Sequence, residues 1–103
     1  MINLIKKFFK REKTDFASLV REGAVIIDVR TAAEFREGHI RGSRNIPLDS
    51  IKNKLGEIKK LQKPVITVCR SGARSNMARS ILASGGVTVY NGGSWNVLEN
   101  RIK

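Results

Sequence analysis

Short runs of β-branched and apolar residues alternate along this chain with stretches whose apolar residues recur at helical spacing. Residues 24–29 (AVIIDV) and 65–68 (VITV) are typical of strands covered on both faces. Residues 87–90 predict another strand, and residues 45–47 (NIP) predict only a brief one, because Pro47 cannot donate a ladder hydrogen bond. Strands alternating with helices predict an α/β fold with a mostly parallel central sheet and helices on both faces.

Two helices are predicted between the first and second long strands. Thr31 and Glu34 have the spacing of a capping box, so a short helix should begin there and end near Gly38. A second helix is predicted over residues 50–61, where Ile51, Leu55 and Ile58 recur at helical spacing.

Two further helices are predicted in the second half of the chain. The apolar stripe of the first consists of Met77, Ala78, Ile81 and Leu82. Gly85 and Gly86 offer a left-handed stop for this helix, and Gly92 and Gly93 predict a turn before the last one. Residues 94–102 predict the closing helix, with Trp95 facing inward.

Length and composition indicate one compact domain. The chain has 103 residues, of which 41% are hydrophobic, and its 20 Lys and Arg against nine Asp and Glu give a net charge of +11. This charge attracts anions and raises the question of a nucleic-acid partner. A single cysteine excludes an internal disulfide and a Cys-based zinc site, so neither a metal nor a cofactor is predicted. It also favours a reducing compartment such as the cytoplasm.

The first thirteen residues form a basic segment outside the predicted domain of residues 14–103. Ile2, Ile5 and Phe9 would share one helical face, with lysines opposite. A helix docked on the domain or a frayed terminus is favoured over contact with a membrane surface. Lys6 and Lys7 interrupt the apolar run too early for a secretory signal.

The chemistry-bearing segment is CRSGARS, which begins at Cys69 where the buried strand ends. A turn from strand into helix points backbone N–H groups into its concavity and adds the positive end of the helix dipole. Arg70 and Arg74 add positive charge, and Gly72 supplies backbone freedom. A thiol there should have a lowered pKa, so Cys69 is predicted to be a nucleophilic thiolate rather than an inert buried thiol.

The chain resembles the rhodanese domains, specifically the short single-domain sulfurtransferases, over about residues 14–102. The matching motifs, in family order, are IIDVR at 26–30, EF at 34–35, GHI at 38–40, NIP at 45–47, the Cys69 loop and GGSW at 92–95. The resemblance implies a three-layer rhodanese-like fold. It also implies that Cys69 takes sulfur from an anionic donor such as thiosulfate, as a persulfide, and passes it to cyanide or to a small-molecule or protein thiol.

The resemblance also implies roles for the residues around Cys69. Arg70 and Arg74 would bind the donor's anionic end, and Ser71 and Ser75 are candidate hydroxyl donors. The residues whose amides and side chains would bind substrate are Arg70, Ser71, Gly72, Ala73, Arg74 and Ser75. Asp28 and Arg30 would brace the site.

Two of the matched residues are assigned structural roles, and one segment departs from the family pattern. His39 and Trp95 are interpreted as structural residues of the fold. The family's usual Pro-Gly-Ala after His-Ile is Arg-Gly-Ser here, at residues 41–43, which leaves the choice of acceptor open.

Loop length argues against the nearest chemical rivals. Only four residues separate Cys69 from Arg74, whereas protein tyrosine phosphatases place five there, and phosphatases and arsenate reductases of related fold have a longer loop. A noncatalytic rhodanese-like sulfur carrier or interaction module remains an alternative, although interaction modules typically lose the cysteine. Nucleic-acid binding is disfavoured, because aromatic residues are few and no binding motif is present.

Overall fold

A computed structural model describes residues 14–103, and the predicted basic segment of residues 1–13 lies outside the described residues. Strands and helices alternate through the described part. Its elements are α1 (Phe16–Arg21), β1 (Val25–Asp28), α2 (Ala32–Glu37), β2 (Arg44–Asn45), α3 (Leu48–Lys60), β3 (Val65–Cys69), α4 (Ala73–Ser84), β4 (Val89–Ser94) and α5 (Trp95–Arg101). Within residues 14–103, no helix is both long and apolar enough to cross a membrane.

The four strands form one parallel sheet in the order β2-β1-β3-β4. Asp28 pairs with Val68, and Cys69 pairs with Ser94, so the carboxyl ends of β1, β3 and β4 meet at one edge. Such an edge is where open α/β sheets bind ligands. The α/β fold with a parallel central sheet, predicted from the alternation of strands and helices, is confirmed.

Two apolar clusters hold the helices against opposite faces of the sheet. Successive side chains of a strand point to opposite faces of the sheet. Ile27 and Val65 therefore join the cluster with α3 and α4, and Ile26 and Ile66 join the cluster with α1 and α5. All four side chains are buried. Helix, sheet and helix therefore form three layers.

Local signals place α2 and α3. The Thr31 hydroxyl accepts a hydrogen bond from the Glu34 N–H at 3.2 Å, and Glu34 accepts one from the Thr31 N–H at 2.9 Å, so the predicted capping box is present. Helix α3 begins at Leu48, two residues before the predicted start. The preceding Pro47 has a φ of −54° that suits a helix start, and the Leu48 N–H is taken by the Val29 carbonyl.

The predicted turn at Gly92 and Gly93 is wrong, because both residues lie within β4. The strand runs from Val89 to Ser94, later than the predicted 87–90, and a bulge shifts its register against β3 at this point. A Cβ on Gly92 would lie 2.8 Å from Ile66 Cγ2 and 3.0 Å from the Thr67 carbonyl oxygen. The glycine pair thus marks a close approach of two strands and a bulge rather than a turn.

The predicted apolar stripe of α4 is also corrected. Met77 is 56% exposed, whereas Ala78 and Leu82 are buried. The buried face includes Ser75, which lies three positions before Ala78, and Met77 lies about 100° around the helix from Ala78.

The left-handed stop predicted at Gly85 and Gly86 is confirmed, because Gly86 has a φ of +92° after the end of α4. The brief strand predicted at 45–47 is Arg44–Asn45, ending before Pro47.

Candidate active site

Cys69 ends β3 at the carboxyl edge of the sheet and is only 1% exposed. Arg70 and Ser71 lead the chain to Gly72, which precedes the first residue of α4. Gly72 has a φ of +105°, a left-handed conformation that favours glycine. The residues before it bring the Gly72 N–H back over the cysteine, with its nitrogen 3.0 Å from Cys69 Sγ.

Groups from the loop and from α4 surround Cys69 Sγ. The Gly72 and Ser75 N–H groups donate to it at 3.0 and 3.4 Å, and the Ser75 hydroxyl lies 3.4 Å away. Ser75 is fully buried on the first turn of α4. Convergent N–H groups at a helix start favour negative charge on the sulfur.

The pKa of the Cys69 thiol lies below its ordinary value. Burial raises this pKa, but hydrogen bonds from the Ser75 hydroxyl and from the Ser75, Gly72 and Ser71 N–H groups together lower it by more. The sequence indicated the arginine charges as a main cause of this shift. Hydrogen bonds at the sulfur outweigh those charges, and Ser71 contributes through its backbone N–H.

Asn91, on β4, joins this group although no sequence motif indicated a function for it. Its Oδ1 lies 2.6 Å from Ser75 Oγ and accepts the Gly93 N–H at 2.9 Å, while its Nδ2 donates to the Gly72 carbonyl at 3.3 Å. An Asn before two glycines is typical of a turn, and this pattern concealed the contact.

Arg74 does not extend freely toward the sulfur. Its guanidinium donates two hydrogen bonds to the Glu34 carboxylate, at 2.7 and 3.0 Å. This pairing, the Thr31 N–H and the Thr31 hydroxyl lower the pKa of Glu34 to about 2, and the pairing raises the pKa of Arg74. Sequence reasoning identified Glu34 as a helix cap and as part of a family motif but did not place it beside the loop, so it missed this role.

Arg70 is exposed and lines a cavity of about 370 Å³ beside the loop. Glu34, Glu37 and Trp95 line the same cavity. Among the described residues, no hydrogen-bond or ion-pair partner is found for the Arg70 guanidinium. Ala73 is exposed at the first position of α4 and contributes to the loop through its backbone.

Asp28 and Arg30 form a buried ion pair beneath this cavity. The Arg30 Nη2 lies 2.7 Å from Asp28 Oδ2 and also donates to the Gly38 carbonyl at 2.7 Å. Its guanidinium carbon lies 4.8 Å from the centre of the Trp95 ring. These contacts tie β1 to the end of α2 and to α5.

His39 lies away from the sulfur's hydrogen-bond group. It is exposed, stacks on Phe35 with ring centroids 3.7 Å apart, and its Nδ1 lies 2.7 Å from the Phe35 carbonyl oxygen.

The fold and the site together define a class of protein. Its members have a parallel α/β sheet with a cysteine at the carboxyl edge, in a loop lined by N–H groups. The rhodanese-like domain profile matches residues 12–99. The chain belongs to the rhodanese-like family.

Curated relatives include uncharacterized and named sulfur-transfer proteins. The uncharacterized protein YqhL of Bacillus subtilis is 45% identical over 69 residues, which cover 66% of this chain and 54% of YqhL. The thiosulfate sulfurtransferase GlpE of Pseudomonas savastanoi pv. phaseolicola is 37% identical over 79 residues, which cover 76% of this chain and 74% of GlpE. The chain spans about half the length of YqhL and of the Escherichia coli relative YibN.

Solved structures of the same family superpose on most of the chain. A rhodanese with anions from E. coli matches with a TM-score of 0.65 and 30% identity, over 72% of this chain and 89% of that protein. The reduced CoADR-RHD of Bacillus anthracis matches with a TM-score of 0.72 and 32% identity, over 85% of this chain and 16% of that protein.

Proposed function

We propose that the protein is a rhodanese-type sulfurtransferase that carries sulfane sulfur on Cys69. The observation that carries this proposal is the N–H cradle at Cys69 Sγ, with the Gly72 N–H at 3.0 Å and the Ser75 N–H at 3.4 Å. The GlpE relatives, which are named thiosulfate sulfurtransferases, support the same reaction.

In the first half-reaction, the Cys69 thiolate attacks the outer sulfur of thiosulfate. A new S–S bond forms to Cys69, the S–S bond of thiosulfate breaks, and its electron pair leaves with sulfite. The negative charge then rests on the terminal sulfur of the persulfide. Preorganised N–H donors stabilise such a charge without an adjacent general base.

In the second half-reaction, a thiophilic acceptor takes the terminal sulfur. Cyanide attacks this sulfur, the persulfide S–S bond breaks, and its electron pair returns to Cys69 as the thiolate while thiocyanate leaves. A thiol acceptor reacts through its thiolate in the same way and becomes a persulfide. No redox co-reactant is needed, because each step transfers a neutral sulfur atom between nucleophiles.

The two arginines of the loop differ in what they can do for the donor. Arg70 is exposed on the cavity and offers its guanidinium to the anionic end of thiosulfate. Arg74 is held by Glu34, so its first role is to fix the start of α4 while adding positive charge beside the loop.

The function is tested by measuring thiocyanate formed from thiosulfate and cyanide. The wild type should turn over many times, and Cys69→Ala should form none above the uncatalysed rate. A noncatalytic sulfur carrier would instead take up at most one sulfur per chain without turnover. Wild-type inactivity with every sulfane donor tried, or activity retained in Cys69→Ala, would contradict the proposal.

A further inference from the structure

The Ser75 hydroxyl has one proton and three acceptors around it. Asn91 Oδ1 lies at 2.6 Å, the Gly72 carbonyl oxygen at 3.1 Å and Cys69 Sγ at 3.4 Å. Ser75 is fully buried, so water does not readily supply a missing partner. The direction of this hydroxyl therefore depends on the charge of the sulfur.

When Cys69 is a neutral thiol, its S–H donates to Ser75 Oγ, and the Ser75 hydroxyl donates to Asn91 Oδ1, the nearest acceptor. When the sulfur is an anion, it has no proton to donate and needs donors instead. The hydroxyl must then turn from Asn91 to Cys69, since a hydrogen bond to an ion is the stronger one.

Asn91 leaves neither of the other two acceptors unpaired when the hydroxyl turns. Its Oδ1 keeps the Gly93 N–H at 2.9 Å. The Gly72 carbonyl accepts the Asn76 N–H at 3.0 Å as well as Asn91 Nδ2 at 3.3 Å, so this carbonyl does not need the Ser75 proton. Each of these polar groups thus has a partner in both charge states of the sulfur, and the reorientation of the Ser75 hydroxyl leaves no buried polar group unsatisfied.

We propose that Asn91 is a positioning residue whose amide oxygen holds the Ser75 hydroxyl beside the neutral thiol and releases it to donate to the anionic sulfur on Cys69. The thiolate part of this proposal stands independently of turnover, and its extension to the persulfide rests on the proposed function. Asn91 acts through Ser75 rather than by touching the sulfur.

Charged groups lie on three elements packed around the loop, and they stay in place in the test. Arg74 lies on α4 and pairs with Glu34 from α2, and Asp28 at the end of β1 pairs with Arg30. The test compares variants with one another, so these charges contribute equally to each.

The test measures the alkylation rate of Cys69 by iodoacetamide as a function of pH, which needs no sulfur donor. Asn91→Ala removes the Oδ1 acceptor that holds the hydroxyl beside the neutral thiol, while the Gly72 carbonyl keeps the Asn76 N–H, so the pH midpoint should fall by about one pH unit. Asn91→Asp should instead raise the midpoint, because a carboxylate holds the hydroxyl more strongly and repels the thiolate. Asn53→Asp, at an exposed site on α3, is the charge-matched control and should leave the midpoint unchanged.

A double-mutant cycle separates positioning from a general structural role. Ser75→Ala should raise the midpoint by itself, and Asn91→Ala should then change it little, because the residue through which Asn91 acts is gone. A wild-type midpoint in both Asn91 variants would overturn the proposal, as would an Asn91→Ala effect of equal size with and without Ser75. A chain with no sulfurtransferase activity that still shows this coupling would refute the proposed function but not the role of Asn91.

Discussion

The guanidinium of Arg74 donates two hydrogen bonds to the carboxylate of Glu34, at 2.7 and 3.0 Å, although the two residues are forty positions apart in the chain. The same carboxylate accepts the Thr31 N–H at the start of α2. One side chain therefore fixes the first turns of two helices, and the second of these helices carries the N–H groups that face Cys69. The cysteine loop depends on α2 through this pair.

The Glu34–Arg74 pair should make stability fall in acid. The pKa of Glu34 is lowered from 4.5 to about 2 in the folded chain, so its stabilisation is complete above about pH 4.5 and is lost as the pH falls toward 2. Glu34→Gln keeps a residue that supports the capping box but removes the charge. We expect it to lower the free energy of unfolding at pH 7 by about 1–2 kcal/mol, measured by urea titration.

The difference between wild type and Glu34→Gln should shrink steadily from pH 5 to pH 2. Glu57→Gln is the control, because its partner Lys54 lies 3.2 Å away in an exposed pair that contributes little. An unchanged difference across this pH range would show that Glu34 stabilises the fold by packing or capping alone.

Arg70→Ala should weaken binding of the donor without impairing the chemistry. Its exposed guanidinium is an electrostatic contact whose loss costs about 1 kcal/mol, or roughly a fivefold rise in the KM for thiosulfate, with kcat nearly unchanged. Raising the salt concentration should reduce the difference from wild type. Lys60→Ala removes an equal charge from the last turn of α3, at the opposite edge of the sheet, and should leave KM unchanged. A large fall in kcat for Arg70→Ala would assign Arg70 to the transition state instead.

Gly92→Ala should destabilise the fold through the bulge that carries Asn91 toward the loop. A Cβ at Gly92 would lie 2.9 Å from Val68 Cγ1 and 3.0 Å from a backbone oxygen of β3, neither of which can move freely. We expect a loss of about 1–3 kcal/mol in urea unfolding. Gly56→Ala, where the new methyl meets open space within α3, should instead stabilise the chain by about 0.5–1 kcal/mol. Equal effects at both glycines would contradict the close strand contact.

Local patterns in the sequence predict β1, β3, the helices α2 to α5 and the cysteine loop well, whereas α1 is not among the predicted helices. Residues 65–68 lead into Cys69, and the Thr31–Glu34 spacing gives a capping box, because both features depend on neighbours within a few positions. The roles of Glu34 and Asn91 at the site could not be predicted in this way. Their partners lie 40 and 16 positions away and meet only when the sheet and helices pack.

The buried face of α4 shows a different reason for a wrong prediction. Hydrophobicity alone assigned Met77 to that face, but the polar Ser75 is buried there because its hydroxyl has partners at the site. Likewise, the glycines at 92 and 93 have the composition of a turn, and only the close packing against Ile66 shows that they belong to a strand. The burial of Ser75 depends on hydrogen bonds at the site, and the strand conformation of the two glycines depends on long-range contact. Neither can be read from the spacing of hydrophobic residues.

Persulfide formation on Cys69 is the central claim, and a single turnover tests it most directly. The protein is mixed with excess thiosulfate, the small molecules are removed, and the intact mass is measured before and after cyanide is added. We predict a gain of one sulfur atom on the wild type, its loss with cyanide, and no gain on Cys69→Ala. An unchanged wild-type mass with thiosulfate and with other sulfane donors, or the same gain on Cys69→Ala, would contradict the claim.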